Sequence, residues 1–530
     1  MASRSSADHS HSPPQVEIPR DYNAAYDLIE RNLAAGRAAK LAYIDDGGRY
    51  TFGQLSERVN RFGSALQGLG LDMEQRVLLA LTDTIDFPTA FLGSIKAGIV
   101  PVPVNTLLTP REFEYMLADS RARALIVSEN LLPQFGPLVG EKRGSVPFLK
   151  HVIVSGTNAG GHLSFREVLA KGSSDLSPAP TTRDDSCFWL YSSGSTGMPK
   201  GTVHVHSSMI LTAELYARGV LGLEEKDVVF SAAKLFFAYG LGNALSFSLA
   251  SGATAVLMGE RPTPASVFKR LTENKPTFFY GVPTLYAAML ASPEFPRKET
   301  LALRRCVSAG EALPAQISKS WKEKTGVDIL DGIGSTEMLH IFLSNRPNDT
   351  RYGTTGRPVP GYELRLVDEQ GDPVKPGEMG ELQISGPTSA ALYWNNRERT
   401  RSTFAGGWTK SGDKYSQDQD GYFVYGGRSD DMLKVSGIYV SPAEVEAALV
   451  SHEAVLEAAV VGAEDENRLI KPKAFVVLKP GRSASDALRQ ELQQSVKSRL
   501  APYKYPRWIE FIGELPKTAT GKIQRFKLRS

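Results

Sequence analysis

The eleven residues from Tyr191 to Gly201 (Tyr-Ser-Ser-Gly-Ser-Thr-Gly-Met-Pro-Lys-Gly) carry three glycines, four aliphatic hydroxyls and one lysine. They follow directly on the apolar run Cys187-Phe-Trp-Leu-Tyr191. A strand ending in such a loop presents backbone N–H groups and hydroxyls at close range, and glycine lets a ligand approach with no Cβ in the way. Lys200 adds a mobile point charge. This chemistry suits a polyphosphate. A Walker A loop would place lysine directly after glycine, with a hydroxyl next. Here Pro199 precedes Lys200 and Gly201 follows it, so kinase or P-loop ATPase chemistry loses most of its support. A Ser/Gly surface linker has a similar composition; the strand before the loop and its single lysine weigh against that reading.

Four further segments could do related chemistry. Ser308-Ala-Gly-Glu-Ala-Leu-Pro314 is a glycine turn after an apolar run, and Asp331-Gly-Ile-Gly-Ser-Thr-Glu337 is a second turn ending in a hydroxyl and a carboxylate. Trp408-Thr-Lys-Ser-Gly-Asp413 places an acid after glycine, and Pro516-Lys-Thr-Ala-Thr-Gly-Lys-Ile523 puts Lys522 on a loop near the end of the chain. Each alone has an ordinary explanation: glycine turns punctuate α/β proteins, and a glutamate is favourable at a helix start. Their order and spacing together are more informative.

The elements that must position these residues read as α/β. Helical periodicity over Leu55–Leu69, Phe87–Ala97, 264–274 and 284–291 alternates with strand-like runs at 76–81, 99–104, 124–127, 151–154, 253–257 and 277–280. Such alternation predicts layered, largely parallel sheets. From about residue 356 to 428 short alternating strands separated by Gly, Asp and Pro predict a small β-barrel-like part, 362–367, 380–385 and 421–425 among them. The charged break at 426–431 predicts a boundary between a large domain, 21–428, and a small α+β domain, 429–530. The first helix of the latter carries a capping-box pattern, Ser441-Pro-Ala-Glu444.

At 530 residues the chain exceeds one core. With 42% apolar and 22% charged residues it is an ordinary soluble globular composition. A net charge of +3, with both signs interspersed, leaves no electrostatic footprint for nucleic acid. Cys187 and Cys306 both lie in apolar runs and read as buried, reduced thiols of a cytoplasmic protein. No run of about 18 apolar residues predicts a membrane span. Residues 1–20, rich in Ser, His and Pro, are expected to form a disordered tail rather than a secretory signal.

Taken in order, the five motifs resemble the core motifs of the adenylate-forming superfamily: acyl- and aryl-CoA synthetases, peptide-synthetase adenylation domains and luciferases. The resemblance runs from about residue 25 to the end. Phe236-Phe-Ala-Tyr-Gly-Leu-Gly242 and Asp331-Gly-Ile-Gly-Ser-Thr-Glu-Met-Leu-His340 look most like benzoate–CoA ligases. The resemblance implies ATP, Mg²⁺ and coenzyme A as reactants and cofactor, a small aromatic carboxylic acid as substrate, and a homodimer as a common state. It implies that Ser192, Ser193, Gly194, Ser195, Thr196, Gly197 and Lys200 hold the β- and γ-phosphates of ATP. Gly310, Glu311, Ala312 and the turn Asp331-Gly332-Ile333 would enclose the adenine. Asp413 would take the ribose hydroxyls with Arg428 alongside. Thr336 would contact the α-phosphate, Glu337 would help hold Mg²⁺, and Lys522 would reach both the acid and the α-phosphate. Many relatives carry an aromatic residue where this chain has Ile333, so apolar contact replaces ring stacking there.

The acid pocket implied in this way comprises Phe236, Ala238, Tyr239, Gly240, Tyr280, Ile333, Gly334 and His340, with Lys522 at its mouth. A small Ala238 beside large flat rings favours a planar substrate over a long acyl chain. His340 could donate a hydrogen bond or pack as a neutral ring. Asp430 matches the hinge about which the small domain rotates between two half-reactions, after which Lys434, Ser436 and Gly437 would face coenzyme A. A stand-alone enzyme that loads an aryl acid onto a carrier protein, a CoA ligase for another small acid, and a non-catalytic nucleotide-binding protein are the competing readings. The benzoate-ligase phrases argue against the first, and the retained Lys522 and Glu337 against the last.

Overall fold

The computed structural model describes residues 3–140, 143–194, 197–429, 431–435, 438–466, 469–500, 504–518 and 522–529, and all counts below refer to these. Local periodicity accounts for most of the helices. In Phe52–Gly68 the residues Phe52, Leu55, Val59, Phe62 and Leu66 recur at helical spacing and are all buried. Thr51 caps that helix reciprocally with Gln54.

Two large sheets form the body. One has five parallel strands in the order Val100–Pro103, Arg76–Ala80, Ala124–Ser128, His151–Ser155, Leu163–Ser164. The other has nine strands. Its parallel centre runs Leu41–Asp45, Thr254–Val256, Val228–Ser231, Phe278–Gly281, Arg305–Ser308, Ile329–Gly334. Antiparallel strands close both edges. Both faces of the central strands are buried, which is why they read as continuous apolar runs. Phe278 and Phe279, adjacent in sequence, fill separate core clusters on opposite faces.

The glycine-rich segment is a hairpin and not an open loop. Ser186–Gly194 pairs antiparallel with Gly197–Val205, in a register that opposes Ser192 to Lys200 and Gly194 to Gly197. Successive residues bury against different cores: Phe188 packs with the nine-stranded body, Trp189 with the cluster around the five-stranded sheet. A third strand, Leu392–Tyr393, joins this hairpin through Thr202↔Tyr393.

One expectation is corrected. The first residues form strands Ser6–Asp8 and Gln15–Glu17, paired with each other. Their polar side chains find partners on the body: Ser5 Oγ donates to Asp27 at 2.6 Å, and His9 Nε2 lies 2.7 Å from Glu214 Oε2. Composition marks such residues as disordered, but hydrogen bonding to buried acids orders them. The part expected to be barrel-like, about 356–428, holds a five-stranded antiparallel sheet in which Trp408–Gln417 pairs with Gly380–Ser385, Phe404–Ala405 and Phe423–Arg428, and Gly380–Ser385 with Glu363–Val367.

The C-terminal lobe stacks Pro442–Val450 and Asp486–Lys497 on a three-stranded sheet, Val455–Glu464, Ile470–Leu478 and Trp508–Phe511, around its own apolar cluster. Ser441 Oγ accepts from Glu444 N–H as expected of an N-cap. The Glu444 carboxylate, however, takes the Lys504 ammonium at 2.6–2.7 Å, so only half of the capping box forms. Among the described residues no helix is long and apolar enough to cross a membrane.

Candidate active site

The carboxyl ends of the parallel strands of the nine-stranded sheet bring the site together, where open α/β sheets place their ligands. Register aligns Ser231 with Tyr280, Gly281 with Ser308 and Ser308 with Asp331. The segments that follow those strands are the ones singled out above: Phe236–Gly240, Gly310–Ala312 and Gly332–Glu337.

One cluster gathers around Glu337. Its Oε1 accepts from Tyr393 OH at 2.7 Å and from Ser192 Oγ at 3.2 Å. The Lys200 ammonium sits 4.6 Å from the centre of the Tyr393 ring. Burial pulls the Lys200 pKa below the usual lysine range, opposed by Glu337. Thr336 is held through its carbonyl, which lies 2.7 Å from His204 Nε2. His204 is buried, which lowers its pKa to about 4, so at neutral pH it is an uncharged donor to that carbonyl. The hairpin, the turn 331–337 and the strand Leu392–Tyr393 thus converge on one carboxylate flanked by a lysine.

A second cluster gathers around Lys522. Its Cε lies 3.5 Å from the position a Cβ would occupy on Gly310, whose φ of +99° is a conformation natural to glycine. Asp413 is buried, which raises its pKa; the charges of Arg428 and Lys522 oppose that shift. Arg428 Nη1 donates to Asp413 at 3.2 Å. Glu311 accepts from the Ile523 N–H at 2.7 Å. Its carboxyl is pushed up to about 7 by burial, against the pull of Ile523 N–H, Arg525 and Lys522. Asp331 is buried, its Oδ1 has no hydrogen-bond partner among the described residues, and burial raises its pKa well above the carboxylate range against the pull of Gly332 N–H.

The aromatic wall expected for the acid is partly core. Tyr280 is fully buried and meets Tyr239 edge-on at 6.1 Å; Phe236 is almost fully buried, and Ala238, Tyr239 and Ile333 are half-buried. Tyr239 OH reaches the carbonyls of Val307 and Gly281 at 3.3 and 3.4 Å. Gly240 and Gly334 admit no side chain, because backbone carbonyls pass too close. His340 packs as a neutral ring, its pKa lowered to about 3 by burial. Its Nε2 faces Asn243 Oδ1 at 3.1 Å and Tyr239 O at 3.2 Å, and its ring lies against Tyr216, Tyr239 and Phe247.

Ser195, Thr196, Asp430, Ser436 and Gly437 lie outside the described residues, as do the side chains of Ser193 and Lys434. Tyr393, His204, Arg525 and Glu446 were not anticipated. Arg525 pairs with Glu446 at 2.8–3.1 Å and lies 3.8 Å from Asp431. A second cation three residues beyond Lys522 was the available signal for it. Tyr393 had none, because a strand pairing brings it in.

A two-lobed α/β body with a phosphate-type hairpin, and a lysine delivered from the small lobe, define an adenylating class of enzyme. The chain belongs to the AMP-binding enzyme family: residues 30–394 match the AMP-binding enzyme model and residues 444–522 that of the AMP-binding enzyme C-terminal domain. It is 64% identical over 532 residues to a benzoate–CoA ligase of Thauera aromatica, covering 100% of both chains. A solved benzoate CoA ligase from Burkholderia xenovorans LB400 superposes with a TM-score of 0.90 at 54% identity, over 96% of this chain and 100% of that one. An anthranilate CoA ligase solved with anthranoyl-AMP gives a TM-score of 0.92 at 48% identity, over 96% of this chain and 97% of that one.

Proposed function

We propose that this chain joins benzoate, or a small ring-substituted benzoate, to coenzyme A at the expense of ATP, releasing AMP and pyrophosphate. One observation carries the reading. Lys522, far along the chain from the glycine-rich hairpin, is seated beside Gly310 and Asp413 in a family member whose full length is 64% identical to a benzoate–CoA ligase.

In the first step a carboxylate oxygen of the acid attacks the α-phosphorus and the bond to the β-phosphate breaks. Lys522 offsets the negative charge gathering there, with the Thr336 hydroxyl alongside, while Lys200 and the hairpin backbone hold the departing pyrophosphate. Asp413 accepts from the ribose hydroxyls and the Gly310–Ala312 and Asp331–Ile333 segments enclose the base. The Glu337 carboxylate fits Mg²⁺, an ion that takes one or two protein carboxylates and completes its shell with phosphate and water oxygens. No group of three or more ligating side chains stands ready for a metal among the described residues, in keeping with that mode. Bound there, Mg²⁺ supplies charge neutralisation of the phosphates. In the second step the thiol sulfur attacks the acyl carbon and AMP leaves. Lys522 occupies the approach in the first step, so the small lobe turns about Asp430 and presents Lys434, Ser436 and Gly437 to the pantetheine. The buried, unpaired Cys187 and Cys306 are in keeping with a cytoplasmic enzyme.

The test is product identity. Purified protein with benzoate, ATP and free coenzyme A is expected to give benzoyl-CoA and AMP in equal amounts. ADP as product, or faster pyrophosphate release with medium-chain fatty acids than with benzoate, would sink the assignment.

A further inference from the structure

We propose that Glu311 is a positioning residue for the first half-reaction: its side chain ties down the small lobe in the orientation that places Lys522 over the site, and releases it for the second. The inference rests on the two-step reading above and assigns Glu311 a duty other than enclosing adenine. Glu311 follows Gly310 on the large lobe, directly after the strand Arg305–Ser308. Its Oε1 accepts from the backbone N–H of Ile523, the residue next to Lys522, at 2.7 Å. Among the described residues this is the one hydrogen bond that joins positions 438–529 to the body before the linker. A backbone donor adjacent to the catalytic lysine fixes the path of the chain at the point where a shift of about 1 Å is costly to catalysis.

The surroundings reinforce the tie without duplicating it. Arg525, two residues beyond Ile523, is anchored inside the small lobe by Glu446 and Asp431, and its charge and that of Lys522 act on Glu311, with Glu446 opposing. Arg529 also pairs with Asp431. The Arg525 network therefore moves with the lobe, whereas the Glu311 contact must break when the lobe turns. A contact present in one arrangement only biases the two-state equilibrium by its own strength.

The experiment compares Glu311→Ala and Glu311→Gln in the full chain, both checked for an unchanged melting temperature. Benzoate-dependent pyrophosphate release without coenzyme A reads the first step; thiolysis of supplied benzoyl-adenylate by coenzyme A reads the second. E311A is expected to slow the first step about five- to tenfold, the effect of one lost hydrogen bond, and to slow the second step less. E311Q keeps an acceptor oxygen and is expected to stay within about twofold of the parent. Equal loss in both steps, a raised KM for ATP with kcat retained, or E311Q as slow as E311A would overturn the proposal. If the unaltered protein released no pyrophosphate with benzoate, the functional reading would fail on its own. The tie is then read by amide hydrogen exchange at Ile523, which E311A should accelerate about five- to tenfold and E311Q should not; unaltered exchange in E311A would overturn it.

Discussion

Tyr393 donates its hydroxyl to Glu337 Oε1 at 2.7 Å, and the face of the same ring carries the Lys200 ammonium 4.6 Å from its centre. One aromatic side chain therefore holds the carboxylate assigned to Mg²⁺ and the lysine assigned to the leaving phosphates at a fixed separation. Tyr393→Phe keeps the ring and removes the donor, leaving Ser192 at 3.2 Å as the remaining hydroxyl on that oxygen among the described residues. A stability loss of about 1 kcal/mol is expected, with a severalfold higher KM for MgATP in an AMP-formation assay. Tyr393→Ala also removes the ring beneath Lys200 and should lower kcat further. An unchanged KM in both variants would remove Tyr393 from the site.

Lys522 is the side chain whose two-step role is most sharply testable. Lys522→Ala removes the positive charge proposed to act at the α-phosphorus and leaves the small lobe otherwise intact. Benzoate-dependent pyrophosphate release should fall by at least about 100-fold, while supplied benzoyl-adenylate is still converted to the thioester. If both steps proceeded at the parental rate, Lys522 has been wrongly placed.

These two residues mark what sequence could and could not disclose. Lys522 stood out because its neighbours form a local Gly/Thr pattern, and helices such as Phe52–Gly68 were readable from periodicity that lies within one segment. Tyr393 gave no such signal: its partners are 56 and about 190 positions away and meet it through the pairing Thr202↔Tyr393. The same holds for Ser5 and His9, whose polarity predicts disorder until Asp27 and Glu214 are brought beside them. Glu444 shows the reverse case, a correct local cap signal diverted by Lys504, 60 residues on. Local pattern located the elements and the motifs. Which carboxylate meets which donor was decided by tertiary pairing.

Gly242 is required by a neighbour rather than by its own backbone. A Cβ there would lie 2.2 Å from His340 Cδ2, and that ring is fully enclosed by Tyr216, Tyr239 and Phe247. Gly242→Ala is expected to destabilise the fold by about 1–3 kcal/mol, the usual cost of overpacking. Because His340 Nε2 also faces Tyr239 O, the displaced ring should disturb the half-buried Tyr239 and raise the KM for benzoate more than that for ATP. Thermal melting and separate substrate titrations check both statements. An equal rise in the two KM values would show a general loosening of the fold.

The Glu311 contact makes lobe closure depend on pH, and the sign follows from its environment. Burial in the closed arrangement pushes the carboxyl up to about 7, with Glu446 adding to the rise and Ile523 N–H, Arg525 and Lys522 opposing it. Exposed after the lobe turns, it would return to about 4.3. The closed form therefore binds the extra proton between these values. Closure is favoured at low pH and loses that advantage as pH rises through about 7. The carboxyl oxygen can accept from Ile523 N–H in either protonation state, so the hydrogen bond itself does not reverse the trend. Energy transfer between fluorophores on the two lobes, followed from pH 6 to pH 8 without substrates, should report progressive opening in the parent. E311Q should respond less. Closing as pH rises, or an identical profile in E311Q, would contradict the assignment.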